Sequence, residues 1–158
     1  KAASRSAGIV ISDRPLSTQA SDSSTPEPPA PVMMTTFSPF GAAGNPVDIT
    51  GGEPPTTYRN TVKLGLEDDR IHALILGYWH TIITPPMVFA KVITEVVDEM
   101  RAKGINKPIV ASLAGDVQVE EAAQYLYDHG IVAYPYSTET PVAVLGAKYR
   151  WARAAGLL

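Results

Sequence analysis

Apolar residues recur with a helical period along much of the chain after residue 55. The longest such stretch runs from Pro85 to Lys103, and charged side chains fall largely on its opposite face. The apolar face consists of Phe89, Val92, Ile93, Val96, Val97 and Met100. The pattern predicts an amphipathic helix with proline in its first turn and Gly104 just past its end. Further helices are predicted over Thr56 to Leu66, over Asp116 to His129, and after an N-cap at Thr140.

Short apolar runs separate these helices. They are Ile71 to Leu76, Pro108 to Leu113 and Ile131 to Tyr134. Nearly continuous apolar runs of this length are typical of strands buried in a parallel sheet. Because strands alternate with helices, the chain is predicted to form right-handed β-α-β crossovers. The predicted fold is therefore α/β, a flavodoxin-like doubly wound parallel sheet in a three-layer α/β/α arrangement.

The first part of the chain lacks this periodicity. Nine of the 14 prolines lie within the first 60 residues. Ser17 to Pro31 contains almost nothing that could be buried, which is typical of a linker or a long loop. Gly8 to Ile11 and Val32 to Met34 are candidate edge strands. We therefore expect an irregular N-terminal segment over residues 1–42 and a folded domain over residues 43–158.

Composition excludes several classes of protein and site. The chain has 158 residues, no cysteine and a net charge of -3, which excludes disulfides, thiolate metal sites and cysteine nucleophiles. The basic residues are scattered and form no stripe that would bind a nucleic acid. Apolar runs fall far short of the roughly 20 residues of a membrane span, and no signal-peptide pattern follows Lys1 to Arg5. We expect a cytoplasmic protein with neither nucleic acid nor membrane partners.

Candidate chemistry is concentrated at one edge of the predicted sheet. Ligands of open parallel sheets bind at the carboxyl ends of the strands. The segments predicted to reach that edge are residues 45–55, 77–86, 114–116 and 135–140. The second segment leads into a helix N-terminus, which is a candidate anion site, although Pro85 and Pro86 remove two of its N–H donors.

Three polar features at this edge permit both a functional and a structural interpretation. His80 could act as an acid, a base or a phosphoryl acceptor, or it could bond to backbone as an ordinary loop residue. Asp48 could face a ligand or close a local turn in which Gly51 and Gly52 take positive φ. Asp116 is interpreted as a helix cap rather than a catalytic carboxylate. Motifs of P-loop proteins, dinucleotide-binding proteins, zinc proteases and serine hydrolases do not occur.

Several short sequence segments occur in an order and at a spacing that match one known protein family. They are Gly44 to Gly52 (GNPVDITGG), Lys107 to Ser112 (KPIVAS), Val119 to Ala122 (VEEA), Leu126 to Ile131, Tyr134 to Tyr136, and Tyr149-Arg150. Together they resemble the ADP-forming acetyl-CoA synthetase family, whose members are nucleoside-diphosphate-forming acyl-CoA synthetases. The matching unit is the succinyl-CoA-ligase-like flavodoxin domain, and the resemblance covers about Ala43 to Arg153.

The resemblance implies a reaction that needs more than this chain. Such enzymes couple acyl-CoA thioesters to a nucleoside di- or triphosphate through an acyl phosphate and a phosphohistidine. CoA and ATP or ADP with Mg²⁺ are therefore expected in the whole enzyme, together with ATP-grasp and CoA-binding domains or subunits and an acyl acid substrate. The family's serine-histidine-threonine-glycine motif is absent here, so His80 does not inherit the phosphohistidine role.

The resemblance also implies which loops lie near the substrate. The substrate and phosphate side corresponds to Trp79, His80, Thr81, Ile82 and Thr84. The supporting loops correspond to Asn45, Asp48, Gly51, Gly52 and Gly115. Related succinyl-CoA ligases have a glycine pair near the bulky Trp79 and His80, which implies either a different acid or a loss of activity.

Three functional hypotheses remain open from the sequence. The first is a domain or small subunit of an acyl-CoA synthetase, not active alone. The second is a binding or regulatory module that retains the fold without the chemistry. The third is an independent small enzyme that uses His80, for which the sequence reveals no nearby partner base or nucleophile.

Overall fold

The computed structural model describes residues 8–12 and 46–157, and all structural statements below concern these residues. The predicted strand at Val32 to Met34 and the predicted site residue Asn45 lie outside them. In chain order the elements are β1 (Gly8–Ser12), β2 (Val47–Asp48), α1 (Pro55–Glu67), β3 (Ala73–Trp79), α2 (Pro86–Ala102), β4 (Ile109–Ala114), α3 (Gln118–Asp128), β5 (Val132–Pro135) and α4 (Glu139–Ala154).

The sheet has the strand order β2-β1-β3-β4-β5. β3, β4 and β5 are mutually parallel, as the alternation of strands and helices predicts. β1 pairs antiparallel with both β2 and β3, so it is an interior strand of the sheet rather than an edge strand. Because β1 is reversed between them, β2 runs in the same direction as β3, β4 and β5. The carboxyl ends of these four strands therefore lie at one edge of the sheet.

The helices cover the parallel strands on both faces. α1 packs against α2 and α2 against α3, while α4 packs separately against β3, β4 and β5. Consecutive right-handed crossovers place α2 and α3 on the same face, and α4 therefore covers the other face. The arrangement confirms the predicted α/β class and the flavodoxin-like sheet with helices on both faces.

Alternating burial along β3 shows where the core lies. Leu74, Leu76 and Tyr78 are fully buried, whereas Ile75 and Trp79 on the other face are half-buried. The strand begins two residues later than the apolar run suggests, because the Ile71 N–H donates to the Asp68 carbonyl in a turn. The side chains beneath α1 and α2 therefore form the main core.

Local signals at the helix ends are partly confirmed. Gly104 ends α2 with a φ of 83°, a conformation that glycine adopts without strain. The predicted N-cap at Thr140 is wrong, because α4 already begins at Glu139. Ser137 takes the capping role, since its hydroxyl accepts the Thr140 N–H at 3.1 Å.

Three aromatic rings join α1, β3 and α2. Tyr78 stacks on Phe89 with ring centroids 4.3 Å apart, and Tyr58 meets Phe89 edge-on at 5.5 Å. The buried Tyr78 hydroxyl donates to the Thr84 carbonyl at 2.7 Å. The buried Tyr58 hydroxyl has no hydrogen-bond partner within the described part of the chain. Burial, followed by the charges of Glu53 and Asp48, raises the pKa of Tyr58 to about 12.

The two tyrosines should respond in opposite ways to loss of the hydroxyl. We expect Tyr58→Phe to raise the free energy of unfolding by about 1 kcal/mol, because it removes an unpaired polar group from the core. We expect Tyr78→Phe to lower it by about 1 kcal/mol, because the Thr84 carbonyl loses its buried donor. Urea denaturation of both variants measures the difference. Destabilisation by Tyr58→Phe as large as that by Tyr78→Phe would contradict the unpaired state of the Tyr58 hydroxyl.

Candidate functional site

Four loops meet at the carboxyl edge of the sheet, following β2, β3, β4 and β5. They span residues 49–54, 80–85, 115–117 and 136–138. Hydrogen bonds connect each loop to the next. Thr84 bonds to the first loop, His80 to the end of β4, and Tyr136 to both the end of β4 and the loop after it. The carboxyl edge is therefore one continuous surface built from four strand ends.

The loop after β2 is a tight turn held by its own side chain. Asp48 Oδ1 accepts the Thr50 N–H at 2.9 Å, as the structural interpretation of Asp48 predicts. The left-handed conformation falls on Thr50, with a φ of 61°, and not on Gly51 or Gly52, so the prediction for the two glycines is wrong. A non-glycine residue at positive φ is strained, and such strain concentrates at functional sites. Gly52 is exposed, with open space where a Cβ would lie.

Thr84 ties the loop after β3 to the loop after β2. Its hydroxyl donates to the Glu53 carbonyl at 2.9 Å, and its own carbonyl accepts from Tyr78 and Thr81. Thr84 is completely buried, whereas Thr81 is half-buried. Of the residues that the resemblance assigns to the substrate side, Thr84 therefore shapes the loop from within.

The outer part of the same loop is apolar and solvent-exposed. Ile82 is 97% exposed and Ile83 56% exposed. The loop leads to the N-terminus of α2, where Pro85 and Pro86 supply no N–H groups and no side chain caps the helix. The unbonded N–H groups of the first turn are thereby reduced to those of Met87 and Val88, which weakens this terminus as an anion site.

His80 pairs with Asp116 across the ends of β3 and β4. His80 Nδ1 lies 3.2 Å from Asp116 Oδ1, and the His80 N–H donates to the Ala114 carbonyl at 2.8 Å. A Cβ on Gly115 would lie 2.6 Å from His80 Cβ and 2.9 Å from Val119 Cγ1, so only glycine allows this approach. Asp116 Oδ1 also accepts the Gln118 N–H at 3.0 Å, which confirms its predicted capping role.

The sequence interpretation missed the second role of Asp116, its contact with His80. The signal for it was the parallel register, in which Trp79 pairs with Ala114 and both strands end together. The residues that directly follow the two strands are then neighbours. An apolar pattern predicts that two strands pair but leaves their relative register open, so the contact could not be derived from the pattern.

Tyr136 completes this side of the surface and was also missed. It has a φ of 65°, and its N–H donates to the Leu113 carbonyl at 2.7 Å. Its hydroxyl donates to the Asp116 carbonyl at 3.2 Å and to Glu120 Oε1 at 3.1 Å. Desolvation, followed by the Glu120 carboxylate, raises the pKa of Tyr136. Thr50 and Tyr136 are the non-glycine residues with positive φ within the described ranges, and each follows a strand at the carboxyl edge.

Neither a metal-binding cluster nor a membrane-spanning helix occurs among the described residues. Within 8–12 and 46–157, histidine, aspartate and glutamate side chains form no group of three or more that could hold a metal ion. In these ranges no helix combines the length and the apolar character that crossing a membrane requires.

Known proteins resemble the chain over most of its length. A family described as the Ligase-CoA domain matches residues 3–158. The alpha subunit of ADP-forming acetate–CoA ligase I from Pyrococcus furiosus is 31% identical over 122 residues, which are 77% of this chain and 26% of that protein. A solved structure, the apo form of dinucleotide forming acetyl-coenzyme A synthetase 1 from Ca. Korarchaeum cryptofilum, is 33% identical with a TM-score of 0.68.

The solved relative is several times longer than this chain. The match covers 75% of this chain and 25% of that chain. The same synthetase in complex with phosphate and ADP matches with 32% identity and the same TM-score. The chain thus spans about a quarter of the length of both relatives.

Two glycines of the carboxyl edge should differ sharply in their tolerance of a methyl group. We expect Gly115→Ala to lower the free energy of unfolding by about 1–3 kcal/mol, because its Cβ overlaps His80 and Val119. Gly52→Ala is the matched control, since its Cβ would meet open space, and we expect a change within about 0.5 kcal/mol. Urea denaturation compares the two. Equal tolerance at both positions would refute the close packing of His80 on Gly115.

Proposed function

Because the chain belongs to the Ligase-CoA domain family, we propose that it is one domain, or a small subunit, of a nucleoside-diphosphate-forming acyl-CoA synthetase. The proposed reaction converts an acid, CoA and ATP into acyl-CoA, ADP and phosphate. The observation that carries the proposal is the convergence of four loops at the carboxyl edge of a fold shared with ADP-forming relatives. The functional unit consists of residues 43–158, with β1 contributed by the N-terminal segment, and a cytoplasmic location is part of the proposal.

The loop after β3 faces the acyl and phosphate groups in this proposal. The substrate side consists of Trp79, His80, Thr81 and Ile82. The first three side chains are half-buried, and Ile82 is exposed. Thr84 supports that loop from the interior. The remaining supporting residues are Asn45, Asp48, Gly51, Gly52 and Gly115.

Partner domains supply what this domain lacks. ATP-grasp and CoA-binding domains or subunits of the same enzyme hold the nucleotide with its Mg²⁺ and most of CoA. Exposed apolar side chains support such a partner beside the polar site, because Ile82, Ile83 and Val117 are all more than half exposed at the carboxyl edge. Under this proposal these three side chains contact the neighbouring domain.

A non-catalytic binding or regulatory module is the second candidate. The observation that favours it is the start of α2, where Pro85 and Pro86 reduce the N–H groups available to a phosphate. Such a module would bind its partner domains but would not be needed for turnover.

Reconstitution separates the two candidates. We expect the chain, combined with its ATP-grasp and CoA-binding partners, to form acyl-CoA with ADP release, and each component alone to be inactive. Coupled assays of ADP and thioester, run with and without this chain, measure the requirement. Full activity of the partners without the chain would favour the regulatory module, and inactivity of every combination would refute the synthetase.

The exposed apolar loop provides a test of the partner contact. We expect Ile82→Ser to leave the free energy of unfolding of the chain within about 0.5 kcal/mol, because the side chain is 97% exposed. The same variant should bind the partner components more weakly, because it loses apolar area at their interface. Tyr127→Ser, exposed by 64% near the end of α3 and so at the opposite side of the sheet from the carboxyl edge, is the control. Equal binding by wild type and Ile82→Ser would remove Ile82 from the interface.

A further inference from the structure

His80 and Asp116 form a pair in which one ring nitrogen of the histidine faces the carboxylate and the other does not. Nδ1 faces the Asp116 carboxylate at 3.2 Å, and the backbone of His80 is fixed by the Ala114 carbonyl. Among the described residues, no group bonds to Nε2. The His80 side chain is 24% exposed. Nε2 is therefore the ring nitrogen without a partner among the described residues, while Nδ1 faces the carboxylate.

This arrangement suits proton transfer to and from His80. A carboxylate that faces Nδ1 orients the ring, and a lone pair on Nε2 can then take a proton. The titratable groups that face this pair are Glu120 and Tyr136, with Tyr78 within electrostatic range of Asp116. The Tyr136 hydroxyl is already donated to Glu120 and to backbone, which leaves His80 as the available base.

The geometry points to His80 as the general base that removes the thiol proton of CoA, with Asp116 as its positioning residue. This assignment rests on the proposed function. Among the substrates of that reaction, a carboxylic acid with a pKa of about 4 is already ionised at neutral pH. A thiol with a pKa of about 8.5 is still largely protonated. The thiol is thus the substrate group that must lose a proton before it reacts.

The step balances without any further reactant. The CoA sulfur attacks the carbonyl carbon of the acyl phosphate while His80 Nε2 takes the thiol proton. A carbon–sulfur bond forms, the carbon–oxygen bond to phosphate breaks, and phosphate leaves. The imidazolium then gives its proton to the departing phosphate. No atom changes its oxidation state in a way that would require an oxidant or a reductant.

The test uses the reconstituted enzyme and two separate reactions. The first is formation of acetyl-CoA from acetyl phosphate and CoA, which needs the thiol. The second is release of ADP from ATP and acetate without CoA, which does not. We expect His80→Asn, whose amide can still contact Asp116, to slow the first reaction roughly 30-fold at pH 7, the factor by which a thiol of pKa about 8.5 is protonated there. The second reaction should be unchanged.

The pH dependence distinguishes a base from a structural residue. At pH 9 the thiol ionises without help, so the deficit of His80→Asn should shrink to a few-fold. Asp116→Ser is a second variant, because serine can still cap the Gln118 N–H but does not reach His80, and it should slow the same reaction by a smaller factor. His129→Asn, at the end of α3 remote from the carboxyl edge, is the control and should leave both reactions unchanged.

The outcomes separate this assignment from the proposed function. An His80→Asn enzyme that slows both reactions equally, or neither, or whose deficit is the same at pH 7 and pH 9, overturns the assignment while the synthetase activity stands. A wild-type enzyme that catalyses neither reaction overturns the proposed function itself. Urea midpoints of His80→Asn and Asp116→Ser close to that of the wild type confirm that the rates refer to folded protein.

Discussion

The parallel pairing of β3 with β4 is the constraint on which the carboxyl edge depends. Six consecutive residue pairs extend from Leu74 with Ile109 to Trp79 with Ala114, so the two strands end at the same level. The following residues are then forced together, and His80 reaches both the Ala114 carbonyl and the Asp116 side chain. A register shift of one residue would turn every side chain of one strand to the opposite face. The alternation of buried and half-buried residues along β3 therefore determines both which side chains enter the core and which residues meet at the carboxyl edge.

The aromatic cluster of Tyr58, Tyr78 and Phe89 connects β3 to the loops after β2 and β3. Tyr78 stacks on Phe89 of α2 and donates to the Thr84 carbonyl, while the Thr84 hydroxyl bonds to the Glu53 carbonyl. The chain of contacts thus runs from the middle of the core to the loop before α1. Because Thr84 is buried, its hydrogen bonds are not exchanged with water, and their loss would leave unpaired carbonyls. The surface loops are consequently positioned by groups that no ligand touches.

The period of apolar residues predicted the helices and strands well. A helix or a strand buries the same face at every turn or every second residue, so the signal recurs many times within one element. The helix predicted over Pro85 to Lys103 is observed over Pro86 to Ala102, and the predicted resemblance to ADP-forming acetyl-CoA synthetases is confirmed by the comparisons. Single-residue features were predicted less well. Positive φ was expected at the glycines but lies on Thr50, where the Asp48 turn bond compensates for the strain.

The contact of His80 with Asp116 could not be predicted from the sequence for a different reason. His80 and Asp116 are 36 positions apart, and neither belongs to a local motif, so only the strand register brings them together. The hypothesis of an independent enzyme based on His80 had the least support from the sequence, because no partner base or nucleophile is evident nearby in the chain. The structure supplies that partner in Asp116. The contact supports the chemical role proposed for His80, and that role is proposed within a larger assembly rather than in an independent enzyme.

The openness of the carboxyl edge is a physical argument for the proposed larger assembly. Asp116 is about half exposed at 54%, and the adjoining Ile82 is almost completely exposed. An acyl phosphate held on such a surface would be open to attack by water, and the charge of Asp116 would be screened. A domain that closes over the exposed isoleucine would exclude water and strengthen the pair of His80 with Asp116 at the same time. The apolar rim and the polar pair are therefore complementary parts of one proposed interface, in which assembly and catalysis depend on the same contact.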